Sequence, residues 1–522
     1  MTKQSFLRGT FILILAGLLT RVLGFVNRIV MARILGEEGV GLYMMAVPTF
    51  ILAITITQLG LPVAIAKLIA EAEAVGNKQK VQKVLTVSLT VTLTLSVILT
   101  AALIVAAPIL SRTMLTDQRT YYPLIAILPV VPIIAVSSVL RGYFQGKQNM
   151  KPSSFAQVLE QVVRITLIAV CIRTFLPFGV EYAAAGAMLS AVAGELASLL
   201  YMFIMFKKEK QTHLSFGFAR IIREGQDTFY SLMRIGLPTT GSRFIGSISY
   251  FMEPIVVAQS LAAAGITAAI ATKQYGELTG YALPLLFLPS FITYALSTSL
   301  VPAISEAMAK KQYRLVEYRM QQSMRLSMVS GGWATVILYV FASPLLMLMY
   351  GTDHAVMFIK ILAPLSILYY FQGPLTAALQ ALDLAKAAMF NSLIGSIVKI
   401  IVIVALASRP EFQIMGVAIA IAVGFITVTL LHFATVLKRV QFTIYLREYL
   451  YELICIALSG YTGWYLYNEV VFSASLSIQT LCSILITSLV YFLLLITFSL
   501  IKKEELQRLP LIRKLSSLSI LK

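Results

Sequence analysis

Apolar residues run along this chain in blocks separated by short polar intervals. Most blocks reach the ~20 residues that an α-helix needs to cross a bilayer. The pattern predicts an all-α integral membrane fold with about fourteen spanning helices. The first covers 11–35, the second 41–70, the fifth 155–176, the seventh 232–260, the eighth 277–304, and the last two 446–467 and 474–501. Several blocks exceed one crossing and contain proline: Pro48 and Pro62 in the second, Pro284, Pro289 and Pro302 in the eighth. Proline removes a backbone donor and bends a helix, so these spans are expected to curve around a cavity. The longest polar interval, Lys207 to Tyr230, is too short to bury a core of its own.

Composition agrees with the pattern. Of 522 residues, 58% are hydrophobic and 12% charged, against ~25% charged in a soluble domain. A net charge of +19 would raise nucleic acid as a partner. The cations, however, lie in short loops between apolar blocks, where orientation signals belong, so no nucleic-acid partner is expected. With the N-terminus inside, only seven of the 42 Lys and Arg face outward: Arg33, Arg112, Arg119, Arg173, Lys273, Lys360 and Arg409. Five lie within spans (Arg21, Arg28, Arg164, Arg243 and Lys399), and the rest face inward. This bias predicts a multi-pass protein of the cytoplasmic membrane with both termini in the cytoplasm. Lys3 and Arg8 precede an apolar run that passes Arg21 with no A-x-A site, so the first span is expected to be retained. Cys171, Cys455 and Cys482 form no CxxC and read as small buried hydrophobes, and the three histidines have no metal-ligand spacing. No cofactor is expected.

The chain repeats itself. Pro48-Thr49-Phe50 resembles Pro289-Ser290-Phe291, and Leu61-Pro62 resembles Val301-Pro302. At an offset of 235, Leu140, Gln145, Lys151, Phe155, Val163, Arg164 and Ile165 fall on Leu375, Gln380, Lys386, Phe390, Val398, Lys399 and Ile400. The expected organisation is a six-helix lobe over 1–206, a cytoplasmic linker over 207–231 and a second six-helix lobe over 232–437. Two further helices and a tail fill 438–522. Six is even, so the lobes form a parallel repeat, an arrangement that commonly encloses a central cavity opening to alternate sides.

Charges inside spans read as functional, because a charged side chain at the bilayer centre costs roughly 2.5–3.5 kcal/mol on insertion scales. Arg21 and Arg28 are seven residues apart, about two turns, and project from one helix face with Asn27 close by. Paired cations on one face suit an anion. Span seven carries Arg243 and Glu253-Pro254, where the proline is expected to loosen the helix. Glu253 reads as a partner of the cations or as a proton or sodium site. In span five, Gln157, Glu160 and Arg164 form a secondary polar stripe, and Glu160 and Arg164 can pair at i,i+4. That pair has an equally simple reading as an internal clamp. Their repeat counterparts are Ser392, Gly395 and Lys399, and Lys399 can snorkel along its stem. Glu195 and Glu452 read as structural. No HExxH, GxSxG, P-loop or paired-aspartate motif occurs, so no enzyme is expected.

The run Thr20-Arg21-Val22-Leu23-Gly24-Phe25, continuing to Ala32-Arg33-Ile34-Leu35-Gly36, resembles the first helix of the MurJ-type lipid II flippases. These belong to the multidrug/oligosaccharidyl-lipid/polysaccharide exporter superfamily. Leu-Arg-Gly-Tyr-Phe-Gln-Gly at 140–146 and Gly-Leu-Pro at 60–62 resemble the sporulation branch of polysaccharide-type transporters more closely still. The resemblance spans essentially the whole chain. It implies an alternating-access flippase for an undecaprenyl-diphosphate-linked sugar precursor, lipid II-like, serving spore cortex peptidoglycan. Arg21 matches a functional arginine of the flippases. Their next helix-one arginine falls on Asn27, the following acid on Arg28, and their helix-two basic pair near Ala53 and Ile54. The resemblance also implies a lipid-tail groove on the last two spans, where Tyr461, Trp464, Tyr465 and Tyr467 suit a membrane interface. The expected partners are the lipid-linked sugar diphosphate, membrane lipids and wall-synthesis enzymes. Coupling to H+ or Na+ stays open. Two rival readings are a drug/cation antiporter of the same superfamily, centred on Glu253, and a non-transporting scaffold or regulator of wall synthesis.

Overall fold

The computed structural model describes residues 6–208, 225–440, 446–470 and 475–500, and every regular element among them is helical. Most of the linker expected at 207–231, and the tail from 501 onward, lie outside the described residues. Helix α1, Phe6–Gln58, has 53 residues. At ~1.5 Å per residue that is more than twice the ~30 Å hydrocarbon core, so it cannot be one crossing. It breaks at Gly36, whose φ of 72° and ψ of 176° lie in a region reserved for glycine. The break falls between the first and second expected spans. Leu59 and Gly60, with φ of 43° and 66°, then end α1. Pro62 opens α2 (Leu61–Ala74), where a missing N–H leaves no bond unmade. Asn77 starts α3 (Lys78–Ile109) by accepting the Lys80 N–H at 2.9 Å.

The first run continues with α4 (Tyr121–Ile127), α5 (Val130–Gly146), α6 (Lys151–Phe175) and α7 (Val180–Lys208). Beyond the undescribed interval come α8 (Gln226–Ala263), α9 (Ala268–Gly276), a π-helical turn at Glu277–Ala282, and α10 (Leu283–Phe287). Then follow α11 (Ser290–Ala309), α12 (Tyr313–Val340), α13 (Ala342–Tyr350), α14 (Val356–Ala381), α15 (Ala385–Ala407) and α16 (Gln413–Leu437). Two C-terminal helices are α17 (Leu446–Asn468) and α18 (Leu476–Thr497).

Among the described residues, ten helices are long and apolar enough to cross a membrane, or up to twelve if each bent pair is one span. That count takes Ala16–Ala74 as one run and does not include α17, whose tyrosines lower its hydropathy. The bend expected in the eighth span is present: the chain turns by 52° between Phe287 and Ser290, at Pro289. Pro48 and Pro302, by contrast, sit inside continuous helices.

Packing divides the chain into two compact units, 1–280 with 400–417, and 281–399 with 418–522. In the first, α2, α3, α5 and α7 enclose a core that includes Leu61, Ile65, Leu85, Leu140, Tyr143 and Phe144. In the second, α11, α12 and α14 share a core with Ile304, Met320 and Leu375, and a smaller cluster joins Val329 of α12 to Cys455, Tyr491 and Leu495. The repeat is visible in helix starts: α3 begins at 78 and α12 at 313, α6 at 151 and α15 at 385. The packing boundary lies beyond the linker because α8 and α9 pack on α1. Glycine permits this approach: a Cβ on Gly276 would come 2.6 Å from the Gly41 nitrogen. Outer faces remain open and apolar. Val97, Ile98, Ile104 and Val105 on α3 are exposed, a surface suited to lipid. All three cysteines are free; Cys455 is fully buried, as expected of a small hydrophobe, whereas Cys171 and Cys482 are only half-buried.

Candidate functional site

Helix α1 presents Arg21 and Arg28, both exposed, on one side. Asn27 is buried, and its Oδ1 has no hydrogen-bond partner among the described residues. Helix α8 runs beside α1, with Thr55 Oγ1 and Ser247 Oγ 2.7 Å apart. It brings Tyr250 within electrostatic range of Arg28, Glu253 and Tyr43, while Tyr275 of α9 lies in range of Glu253 and Tyr250. Three helices of one unit therefore assemble an arginine, a buried carboxyl and three tyrosines. Arg243 is exposed on α8, two turns before Tyr250. Pro254 does not open the helix, which stays regular from Gln226 to Ala263. Its local effect is smaller: lacking an N–H, it leaves the Tyr250 carbonyl without its usual i+4 donor.

The stripe on α6 belongs to a larger group. Arg164 Nη2 donates to Glu160 Oε1 at 2.8 Å, the expected i,i+4 pair, and Gln161 Nε2 donates to the same oxygen at 3.3 Å. Gln157 is half-buried one turn away. Sequence reasoning did not find the third member. Arg141 of α5, assigned by the charge count to a cytoplasmic turn, donates from Nη2 to Glu195 Oε1 of α7 at 3.0 Å. It also lies 3.8 Å from Glu160 Oε2. Two acids and two arginines from three helices thus neutralise one another, and Glu195 is almost wholly buried. Gly194 lets α7 in: a Cβ there would stand 2.7 Å from the Glu160 backbone oxygen. The one available signal for Arg141 was its place inside an apolar block, within the Leu-Arg-Gly-Tyr-Phe-Gln-Gly run.

At the equivalent place in the second unit, Thr376 and Gly395 stand where the first has Arg141 and Glu160. A Cβ on Gly395 of α15 would strike Val428 of α16. Lys399 is half-buried, with its stem against Gly424, where a Cβ would lie 3.5 Å from the lysine Cβ. Two uncharged side chains make polar contacts here. Asn391 Nδ2 lies 3.2 Å from His432 Nδ1 and donates to Thr435 Oγ1 at 3.0 Å. Gln372 Nε2 donates to the Phe425 carbonyl and to Thr429 Oγ1, each at 3.2 Å.

A third group clasps the kink of α1. Arg119 donates to Glu38 at 2.6 Å and, from Nη2, to Asp117 at 2.9 Å, and Thr272 donates to Asp117 at 2.8 Å. Lys273 pairs with Glu37 at 3.2 Å. Burial alone would push the Asp117 carboxyl up. The hydrogen bonds from the Arg119 side chain, Thr272 and the Arg119 backbone outweigh it and hold Asp117 below its ordinary 3.8. On α17, Tyr461, Trp464 and Tyr465 are exposed as expected, and Tyr461 stacks on Trp464 with centroids 6.1 Å apart. An apolar groove of about 540 Å³ on the same helix is lined by Arg447, Leu450, Tyr451, Leu453, Ile454 and Ala457.

The chain resembles known proteins in sequence and in fold. The profile of the family described as "Polysaccharide biosynthesis protein" matches residues 6–308, and the MatE profile matches 277–405. Stage V sporulation protein B of Bacillus subtilis (strain 168) is 59% identical over 515 residues, covering 99% of both chains. Lipid II flippase MurJ of the same organism is 25% identical over 462 residues, 84% of this chain and 83% of that protein. A solved structure of lipid II flippase MurJ in an inward closed conformation superposes with a TM-score of 0.69 at 15% identity, covering 93% of this chain and 98% of that one. The identity over nearly the whole chain bears out the resemblance carried by the first helix and the 140–146 run. The superposition bears out the fold.

Proposed function

We propose, from the premise that this chain belongs to the polysaccharide biosynthesis protein family, that it is a flippase for an undecaprenyl-diphosphate-linked sugar precursor, lipid II-like, in spore cortex synthesis. Both termini lie in the cytoplasm, and the chain crosses the membrane fourteen times. The observation that carries the reading is the exposed pair Arg21 and Arg28 on one side of a spanning helix, with Arg28, Glu253 and Tyr43 all in electrostatic range of Tyr250. An arginine facing hydrocarbon is costly, so these side chains suit a water-filled cavity. Their planar forks match phosphate oxygens in bidentate geometry. Arg21, Arg28 and Arg243 hold the diphosphate, Asn27 and Glu253 the polar groups next to it, and the polyprenyl tail stays in lipid. An inside-negative potential favours outward movement of an anion by about 2.3 kcal/mol per charge per 100 mV. A diphosphate is thus driven outward without nucleotide hydrolysis when the empty carrier returns without carrying compensating charge.

The test is translocation of a lipid-linked precursor in proteoliposomes under an imposed potential. The Arg21→Ala/Arg28→Ala double variant is expected to abolish it, and unaltered flipping by that variant would sink the assignment. The MatE match over 277–405 favours a second reading, a drug/cation antiporter of the same superfamily, with Glu253, outside the matched residues, as its candidate centre. Drug efflux that depends on Glu253, with no precursor transport, would select it.

A further inference from the structure

Glu452 is a buried carboxyl that the transport reading leaves unused. It lies on α17 at 1% exposure, where α17 and α18 pack on α12. Its Oε1 meets the Tyr491 hydroxyl of α18, and that hydroxyl lies 2.8 Å from the Val329 carbonyl of α12. Its Oε2 has no hydrogen-bond partner, and no Lys or Arg among the described residues pairs with it. The junction is built for this contact. A Cβ on Gly332 would come 2.5 Å from Glu452 Oε1 and 2.6 Å from Tyr491 Oη. Next to it, Trp333 Nε1 donates to Ser488 Oγ at 2.9 Å.

The hydrogens can be counted. A tyrosine hydroxyl carries one. Tyr491 Oη has two oxygen neighbours, a carbonyl and a carboxyl, and each contact needs a hydrogen between the oxygens. An ionised Glu452 would make both neighbours acceptors, and one contact would then set lone pairs face to face. A carboxylic acid supplies the second hydrogen: Glu452 donates to Tyr491, and Tyr491 donates to Val329. Electrostatics points the same way, because a carboxylate without a cation in apolar surroundings is costly and a neutral acid is not.

We propose that Glu452 is a proton-binding site, occupied at neutral pH, whose proton latches the α17–α18 pair onto α12 through Tyr491. The titratable groups around it are few. Tyr491 faces it from α18, and Cys455 lies one turn along α17. From α12 it meets the Val329 carbonyl and the Trp333 neighbourhood, while Arg325, one turn earlier, lies by Tyr449. The latch is complete at neutral pH and released on alkalinisation, when Glu452 gives up its proton. This inference stands apart from the transport reading.

Infrared difference spectroscopy on the full chain in lipid nanodiscs tests it. At neutral pH, Glu452→Gln is expected to remove a protonated-carboxyl C=O band. Tyr491→Phe is expected to keep that band and shift its frequency. Glu452→Gln keeps an N–H donor, so it is expected to melt close to the parent protein while losing the parent's alkaline destabilisation. Loss of carboxylate bands instead, at neutral pH in Glu452→Gln, would overturn the proposal. Should that variant not accumulate, a parental protonated-carboxyl band that Tyr491→Phe leaves unmoved would overturn it equally.

Discussion

The triplet α5–α6–α7 in one unit and α14–α15–α16 in the other carry the same repeated pattern but close in opposite ways. In the first, Arg141, Glu160, Arg164 and Glu195 interlock by charge. In the second, the positions of Arg141 and Glu160 are Thr376 and Gly395, and Val428 fills the space against Gly395. Lys399 stands at the position of Arg164, four residues after Gly395. The difference teaches that a repeat conserves helix placement more strictly than it conserves how the helices are held. Burying two ion pairs requires each charge to have its partner, whereas glycine against valine requires only shape. The charged triplet is therefore the more fragile of the two.

The largest expected effect follows from that asymmetry. Arg141→Ala leaves Glu195, at 4% side-chain exposure, without a cation. Breaking such a pair costs about 3–5 kcal/mol, while Thr376→Ala at the matching position is expected to cost under ~1 kcal/mol. Thermal unfolding of the purified protein in detergent measures both, and equal losses would refute the comparison. Removing three charges of the first triplet together, as Arg141→Thr/Glu160→Gly/Glu195→Val, sharpens it. The triple variant is expected to lose at least ~1 kcal/mol less than the sum of the three single variants, because partners leave together. Strict additivity would mean the charges act independently.

Next come the two glycines. A methyl on Gly194 meets a backbone oxygen at 2.7 Å, which cannot rotate away, whereas one on Gly395 meets a valine side chain. Gly194→Ala is expected to cost about 2 kcal/mol and Gly395→Ala about 1 kcal/mol. A reversed order in melting experiments would show that the apolar triplet is the tighter one. The smallest effect concerns pH. The fold holds Asp117 below its ordinary 3.8, so its contribution is complete above that value and is lost as pH falls through the lower folded value. The melting-temperature gap between the parent and Asp117→Asn is expected to close on acidification below about pH 4. Asn391→Ala in the second triplet is expected to show no such closure.

Much of this was legible along the chain. Apolar blocks placed the helices, Gly36 fell between two expected spans, Pro289 marked a real bend, and i,i+4 spacing gave Glu160–Arg164. Arg141 was not legible, because its partner Glu195 is 54 residues away on another helix. Glu452 looked merely structural, since nothing local announces that Tyr491 and Val329 meet it from two other helices. The expected opening at Pro254 was too strong: a proline lacks one donor, but the neighbouring turns keep α8 helical.

The sequence alone determined that this is a helical membrane protein with an internal repeat, cations gathered in short loops between its spans and a family signature in its first helix. Those properties depend on composition and on periodicities of a few residues, which the chain carries locally. Only the tertiary structure decided which buried charges are neutralised, that Arg28, Tyr250 and Glu253 come together, and where a carboxyl needs a proton. Those depend on distances between helices remote in sequence, and such distances are set by the packing of whole faces rather than by any one segment.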